Sequence, residues 1–127
     1  MFDAIHHVAI IVSDYERSKS FYVDKLGFRI VAEAYREERR SYKLDLESGG
    51  VRIELFSFPE PPPRASRPEA CGLRHLAFRV TDLDAAVARL NGAAIAVEAV
   101  RTDPYTGRRF TFFADPDGLP LELYEEP

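Results

Sequence analysis

Gly50-Val51-Arg52-Ile53-Glu54-Leu55-Phe56 is answered 68 positions later by Gly118-Leu119-Pro120-Leu121-Glu122-Leu123-Tyr124. Each run opens on glycine, alternates apolar residues with others, and holds one glutamate at the same place. The same offset lays Val12-Ser13-Asp14 on Val80-Thr81-Asp82, and His7 on His75. An offset of 65 suits the stretch between, where Gly27, Ile30, Glu33, Ala34 and Arg36 meet Gly92, Ile95, Glu98, Ala99 and Arg101. His7 to Glu54 and His75 to Glu122 are both 47 residues apart. One such match could be chance; an ordered series with a consistent gap points to an internal duplication.

Each half reads as strand, helix, strand, strand, strand. In the first, Ile5 to Val12 is a β-rich run. Asp14 is placed to cap a helix carrying Tyr15, Ser18, Tyr22 and Leu26 to a stop at Gly27. Phe28 to Tyr35 is strand-like, and Ser41 to Leu46 and Val51 to Phe58 flank Ser48-Gly49-Gly50, a hairpin signal. In the second half, Leu73 to Val80 is a strand. Asp82 or Asp84 caps a helix with Leu83, Ala86, Val87 and Leu90, and Ile95 to Val100 follows as a strand. Phe110 to Ala114 and Leu119 to Glu125 flank the turn Asp115-Pro116-Asp117-Gly118. Between the halves, five of the nine prolines fall from Pro59 to Pro68. Such a segment favours extended polyproline II and serves as a connector. The expected organisation is a single α+β domain: module 1 over residues 1–57, a linker over 58–71, and module 2 over 72–127.

The 127 residues suit one domain, and neither half is large enough to be comfortable alone. With 46% hydrophobic residues the chain has the material for a core. No apolar run is long enough to span a bilayer, and no secretory signal is visible, so a cytoplasmic location is expected. Cys71 is the only cysteine; it excludes an internal disulfide and a CxxC metal site, and reads as an inert linker residue. The net charge of −4 argues against nucleic-acid binding. The basic residues are 14 Arg and 3 Lys. For most of these Arg the plain reading is genomic composition, but Arg suits bidentate recognition of carboxylate or phosphate, which leaves one local anion pocket open.

Side chains of a strand alternate between faces. Val51, Ile53 and Leu55 share one face, and Arg52, Glu54 and Phe56 the other. Leu119, Leu121 and Leu123 oppose Pro120, Glu122 and Tyr124. If helices cover the apolar faces, both glutamates look out of the open one. The same parity places His7 with Ala9 and Ile11, and His75 with Ala77 and Arg79, again on the open face. His6 falls with Val8, Ile10 and Val12, towards the helices, and reads as a structural or near-surface residue. Two imidazoles and two carboxylates on equivalent strands make a candidate divalent-metal site of His7, Glu54, His75 and Glu122. Mixed N and O donors suit Zn²⁺ as a tetrahedral site, or Ni²⁺, Co²⁺, Mn²⁺ or Fe²⁺ with added waters.

At these residues the chain resembles the vicinal oxygen chelate superfamily, which includes glyoxalase I, bleomycin-resistance proteins, extradiol dioxygenases, epimerases and fosfomycin-resistance enzymes. The resemblance runs through His6 to Asp14, Phe21-Tyr22, Leu26-Gly27-Phe28, and Asp115 to Gly118 with Leu121-Glu122-Leu123. Arg67 to Phe78 and Asp103 to Phe113 resemble more narrowly the bacterial YaeR-type glyoxalase-like branch. The resemblance implies two βαβββ modules whose curled mixed sheets form a metal-containing cleft. It also implies one divalent ion per site, Ni²⁺, Co²⁺ or Zn²⁺ ahead of Mn²⁺ or Fe²⁺, and a homodimer as partner state. It implies a glyoxalase I-like lyase or isomerase that acts on a small oxygenated substrate, such as the hemithioacetal of an α-ketoaldehyde, through enediolate chemistry. Glu122 would be the principal base, and Glu54 a ligand and second base. Two other readings stay open: a metal-independent ligand-binding or resistance protein, and an Fe(II) dioxygenase. For substrate contacts, Arg36, Arg39, Arg40, Arg108 and Arg109 lie near strand ends or loops. Arg109 and Tyr105 are preferred because their segment carries the narrower resemblance. Phe56 and Tyr124 share the ligand face, as cleft walls or as packing.

Overall fold

A computed structural model describes residues 1–127. It divides into two compact units, Met1–Pro63 and Arg64–Pro127. The first contains β1 (Val8–Val12), helix α1 (Tyr15–Ser20) continued by a π-helical turn (Phe21–Lys25), β2 (Arg29–Arg36), a 3₁₀ turn (Glu37–Arg39), β3 (Ser41–Ser48) and β4 (Val51–Ser57). The second contains β5 (Leu76–Val80), α2 (Leu83–Gly92), β6 (Arg101–Thr102), β7 (Arg109–Ala114) and β8 (Pro120–Glu125). Each unit is one four-stranded mixed sheet, in the orders β1-β4-β3-β2 and β5-β8-β7-β6. The outer pairs β1·β4 and β5·β8 are parallel, and the others antiparallel. The α+β class and the paired βαβββ topology are as the sequence predicts.

The apolar faces are where parity places them. Ile53 and Leu55 are fully buried, with Val12, Tyr22, Leu44 and Leu46. In the second unit Leu83, Leu90, Thr111, Phe113, Leu121 and Leu123 form the core. Both helices begin on the expected aspartates: Asp14 accepts from the Arg17 amide (3.1 Å) and Asp82 from the Ala85 amide (2.9 Å). Such caps contribute about 1 kcal/mol each. Gly27, at φ +83°, ends the first helix in the left-handed conformation that glycine adopts without strain.

Three expectations need correction. The first strand of each module starts three residues later than predicted. The parallel ladder opens at Val8 opposite Ile53, although β4 itself begins at Val51. In the second module it opens at Leu76 opposite Leu121, beside Pro120, which lacks an N–H to extend it. His7 and His75 therefore sit at the mouths of their strands. Residue 6 precedes β1 as well, so strand parity does not govern His6: it is exposed, with Nδ1 2.8 Å from His7 Nδ1. Finally, Ile95 to Val100 is not a regular strand. The Glu98 amide donates to the Phe112 carbonyl (2.9 Å) as in a ladder, but the Glu98 carbonyl accepts from the Thr111 hydroxyl (2.7 Å) and not from a backbone amide.

Candidate active site

β4 and β8 are the central strands that position the carboxylates. In the first unit Glu54 stands opposite Ala9 on β1 and Asp45 on β3. In the second, Glu122 stands opposite Ala77 on β5 and Phe112 on β7. The small alanines leave room above the sheet, and the histidines fill it. His7 Nε2 lies 3.4 Å from Glu54 Oε2, and His75 Nε2 lies 3.0 Å from Glu122 Oε2. Although on the face away from the core, both glutamates retain only 9% of their exposure.

The two pairs differ in their surroundings. Lys43 Nζ bonds Asp45 (2.5 Å) and reaches the second oxygen of Glu54 (3.4 Å). Asp45, ahead of Glu54, holds the Lys43 ammonium above its ordinary pKa. At the corresponding places in the second unit stand Phe110 and Phe112, and the Phe112 ring meets His75 edge-on at 5.1 Å. Glu122 thus has the imidazole of His75 and no cationic partner. A nearly buried carboxylate offers about four acceptor positions and is costly to leave under-bonded. An N and an O donor at each pair, with unused acceptor capacity at Glu122, fit a divalent ion of the Ni²⁺, Co²⁺ or Zn²⁺ kind. The structure brings together His7 with Glu54 and His75 with Glu122; no group of three or more His, Cys, Asp or Glu side chains able to hold a metal forms.

Arg109 falls elsewhere. It shares its face of β7 with the core residues Thr111 and Phe113, opposite Phe112. Its guanidinium is taken by Glu125 (2.8 Å) and Asp84 (3.2 Å), which ties the start of α2 to β8. Arg109 is therefore a structural clamp on the helix side, and the structure does not bring it to the Glu122 face. Arg109 and the Leu83 amide bond Glu125 and pull its carboxyl down to about 2 from an ordinary 4.5. A lowered folded-state pKa stabilises above the ordinary value and is lost as pH falls toward the folded one. Thermal unfolding followed from pH 5 to pH 2 is expected to lose stability steadily, and Glu125→Gln to flatten that limb. Equal slopes would contradict the clamp.

Tyr105 is 95% exposed in the β6–β7 loop, with only its backbone amide bonded, to Asp103 (2.8 Å). Tyr124 does lie on the ligand face, stacked on Phe110, its hydroxyl bonded to Asp103 (3.0 Å) and Thr106. Phe56 shares the Glu54 face, stacked on Phe58 beneath the Arg36 guanidinium. Parity reasoning missed a cleft of about 480 Å³ within the second unit, which His75 and Phe112 line together with residues of the proline-rich connector. Its available signal was the arginines Arg64 and Arg67 in the segment read as a connector, with Arg74 just beyond it.

The sequence profile of the Glyoxalase/Bleomycin resistance protein/Dioxygenase superfamily matches residues 4–123. The chain belongs to this superfamily. Within it, the chain is 66% identical to YwkD of Bacillus subtilis (97% of each chain) and 63% identical to YaeR of Escherichia coli (96% of this chain, 95% of YaeR). The crystal structure of a glyoxalase family protein from Enterococcus faecalis superposes with TM-score 0.93 at 51% identity, covering 98% of each chain. More distant superfamily members include a 2-epi-5-epi-valiolone epimerase from Actinomyces (28% identical; 98% of this chain, 80% of the epimerase). The fold is shared with the fosfomycin resistance protein FosX of Listeria monocytogenes, a variant of which was crystallised with Mn(II) (16% identical, TM-score 0.73; all of this chain, 93% of FosX). No helix is long and apolar enough to cross a membrane.

Proposed function

We propose that the protein is a metal-dependent lyase or isomerase of the glyoxalase I kind, acting on a small oxygenated substrate. The observation that carries this reading is the repeated His–carboxylate pair, His7 with Glu54 and His75 with Glu122. One pair of each kind gives two N and two O donors. A complete site takes one of each, from one chain or from two chains of a homodimer. A divalent ion held there supplies Lewis-acid stabilisation of negative charge on two adjacent substrate oxygens.

The protein's own residues divide the remaining work. Glu54 is anchored on both oxygens, by His7 and by Lys43, which suits a fixed ligand. Glu122 has no such second anchor and is the mobile one, suited to act as base. In a hemithioacetal, Glu122 takes the proton from the carbon bearing sulfur and returns it to the neighbouring carbonyl carbon. The hydroxyl proton passes to the adjacent oxygen, and the product is a 2-hydroxyacyl thioester, with no net oxidation. Phe110 and Phe112 restrict water around Glu122, which protects the transferred proton. Delivery of a proton to the same carbon from the opposite face would instead invert a stereocentre, the chemistry named for the Actinomyces epimerase.

The test is reconstitution. Chelator-stripped protein should bind about one divalent ion per pair of unlike half-sites. Turnover of the hemithioacetal of an α-ketoaldehyde and glutathione should vanish on stripping and return on reloading. Failure to bind Ni²⁺, Co²⁺, Zn²⁺ or Mn²⁺ would sink the proposal.

A further inference from the structure

The cleft of the second unit has an unusual charge arrangement for a chain with net charge −4. Arg64, Arg67, Arg74 and Arg101 line it, with Glu69 and Glu98, an excess of two positive charges. None of these four arginines forms an ion pair. Outside the cleft, three arginines are ion-paired: Arg29 and Arg52 with Glu47, and Arg109 with Asp84 and Glu125. Four guanidinium groups gathered without carboxylate partners repel one another, and an anion among them relieves that cost.

The individual side chains are arranged to receive one. Arg64 spends one nitrogen on the Leu73 and Arg74 carbonyls (2.8 and 2.9 Å), which ties the connector to the approach to β5. Its Nε is buried with no hydrogen-bond partner. Arg101 lies over the rings of Phe110 and Phe112, at 5.0 and 5.6 Å from their centroids. Its N–H donors suit a planar or tetrahedral oxyanion. At about 480 Å³ the cleft has the size of a small-molecule site.

We infer that this cleft binds a small molecule through a phosphoryl or carboxylate group, held by Arg101 and Arg74 with Arg67. The excess of two positive charges favours a dianion. Because Phe112 touches both Arg101 and His75, an anion held here sets the rest of its molecule beside the His75–Glu122 pair. That the anion is part of the substrate rests on the function proposed above; the anion site itself rests on the arginines.

The experiment is calorimetric titration of the whole, chelator-treated protein with inorganic phosphate and, separately, with acetate. Saturable binding is expected, with phosphate the tighter. Tighter acetate would also support the site and assign it to a carboxylate. Arg101→Gln and Arg74→Gln, both at exposed positions, should each weaken binding about tenfold or more. Arg29→Gln, in the first unit, should leave it unchanged. Circular dichroism confirms that each variant is folded. No saturable binding of either anion, or undiminished binding in both pocket variants, would overturn the inference. Ni²⁺ titrated in separate runs keeps the two proposals apart. Loss of anion binding with Ni²⁺ binding intact overturns only the cleft, and the converse overturns only the metal.

Discussion

Glu122→Gln is expected to lower hemithioacetal turnover by about 10²–10⁴-fold, the range that a positioned general base contributes. The amide keeps the size and an acceptor oxygen of the carboxylate, so the fold and the contact to His75 at 3.0 Å should survive. What it loses is the capacity to take a proton. The companion Glu54→Gln should behave differently. Glu54 is held by His7 on one oxygen and Lys43 on the other, so its loss should appear first as weaker metal affinity. If excess metal restores turnover to Glu54→Gln and not to Glu122→Gln, the two carboxylates have the separate roles that their surroundings suggest. Equal rescue of both would remove the distinction between base and ligand.

His75→Ala should abolish measurable divalent-metal binding by calorimetry. His75 is the sole polar partner of Glu122, in a setting of Phe112 and Ala77 that offers no substitute donor. Removing it takes away one of the two nitrogen donors and leaves Glu122 without the group that orients it. His6→Ala provides the contrast. His6 lies against His7 and is exposed, outside the donor set, so its loss should leave the metal stoichiometry unchanged. Retention of full affinity in His75→Ala would place the metal elsewhere.

The parts of the fold that the sequence made legible are those governed by periodicity and duplication. Alternation in Val51 to Phe56 and in Leu119 to Tyr124 reported the buried faces, because a half-buried strand enforces period two. Asp14 and Asp82 announced the helix starts through capping chemistry. The strand beginnings were less legible, since they depend on pairing with a strand distant in sequence, and Pro120 limits β5 from a distance of some 44 residues. The Ile95 to Val100 segment misled because its side chains suit a strand, while its carbonyl partner at Glu98 is a threonine hydroxyl.

At the site, the His–Glu pairs were readable because equivalent positions in a duplicated chain carry the same residues. The differences between the halves were not. Lys43 and Asp45 beside Glu54, against Phe110 and Phe112 beside Glu122, emerge only from strand register. Arg109 shows the converse error. Arginine type and segment resemblance suggested a ligand contact, yet its strand parity, shared with Thr111 and Phe113, already placed it on the covered face. Arg64 and Arg67 of the cleft were hidden by composition, since a proline-rich stretch reads as a spacer whatever charged side chains it carries.

The central claim is that one divalent ion is held by His7, Glu54, His75 and Glu122. A crystal structure of Ni²⁺-loaded protein, with anomalous scattering measured at the nickel edge, tests it most directly. The account predicts one anomalous peak bonded by two imidazole nitrogens and two carboxylate oxygens from those four residues, within one chain or across two. A peak on other side chains, or none in protein shown to be folded and nickel-saturated, would contradict it.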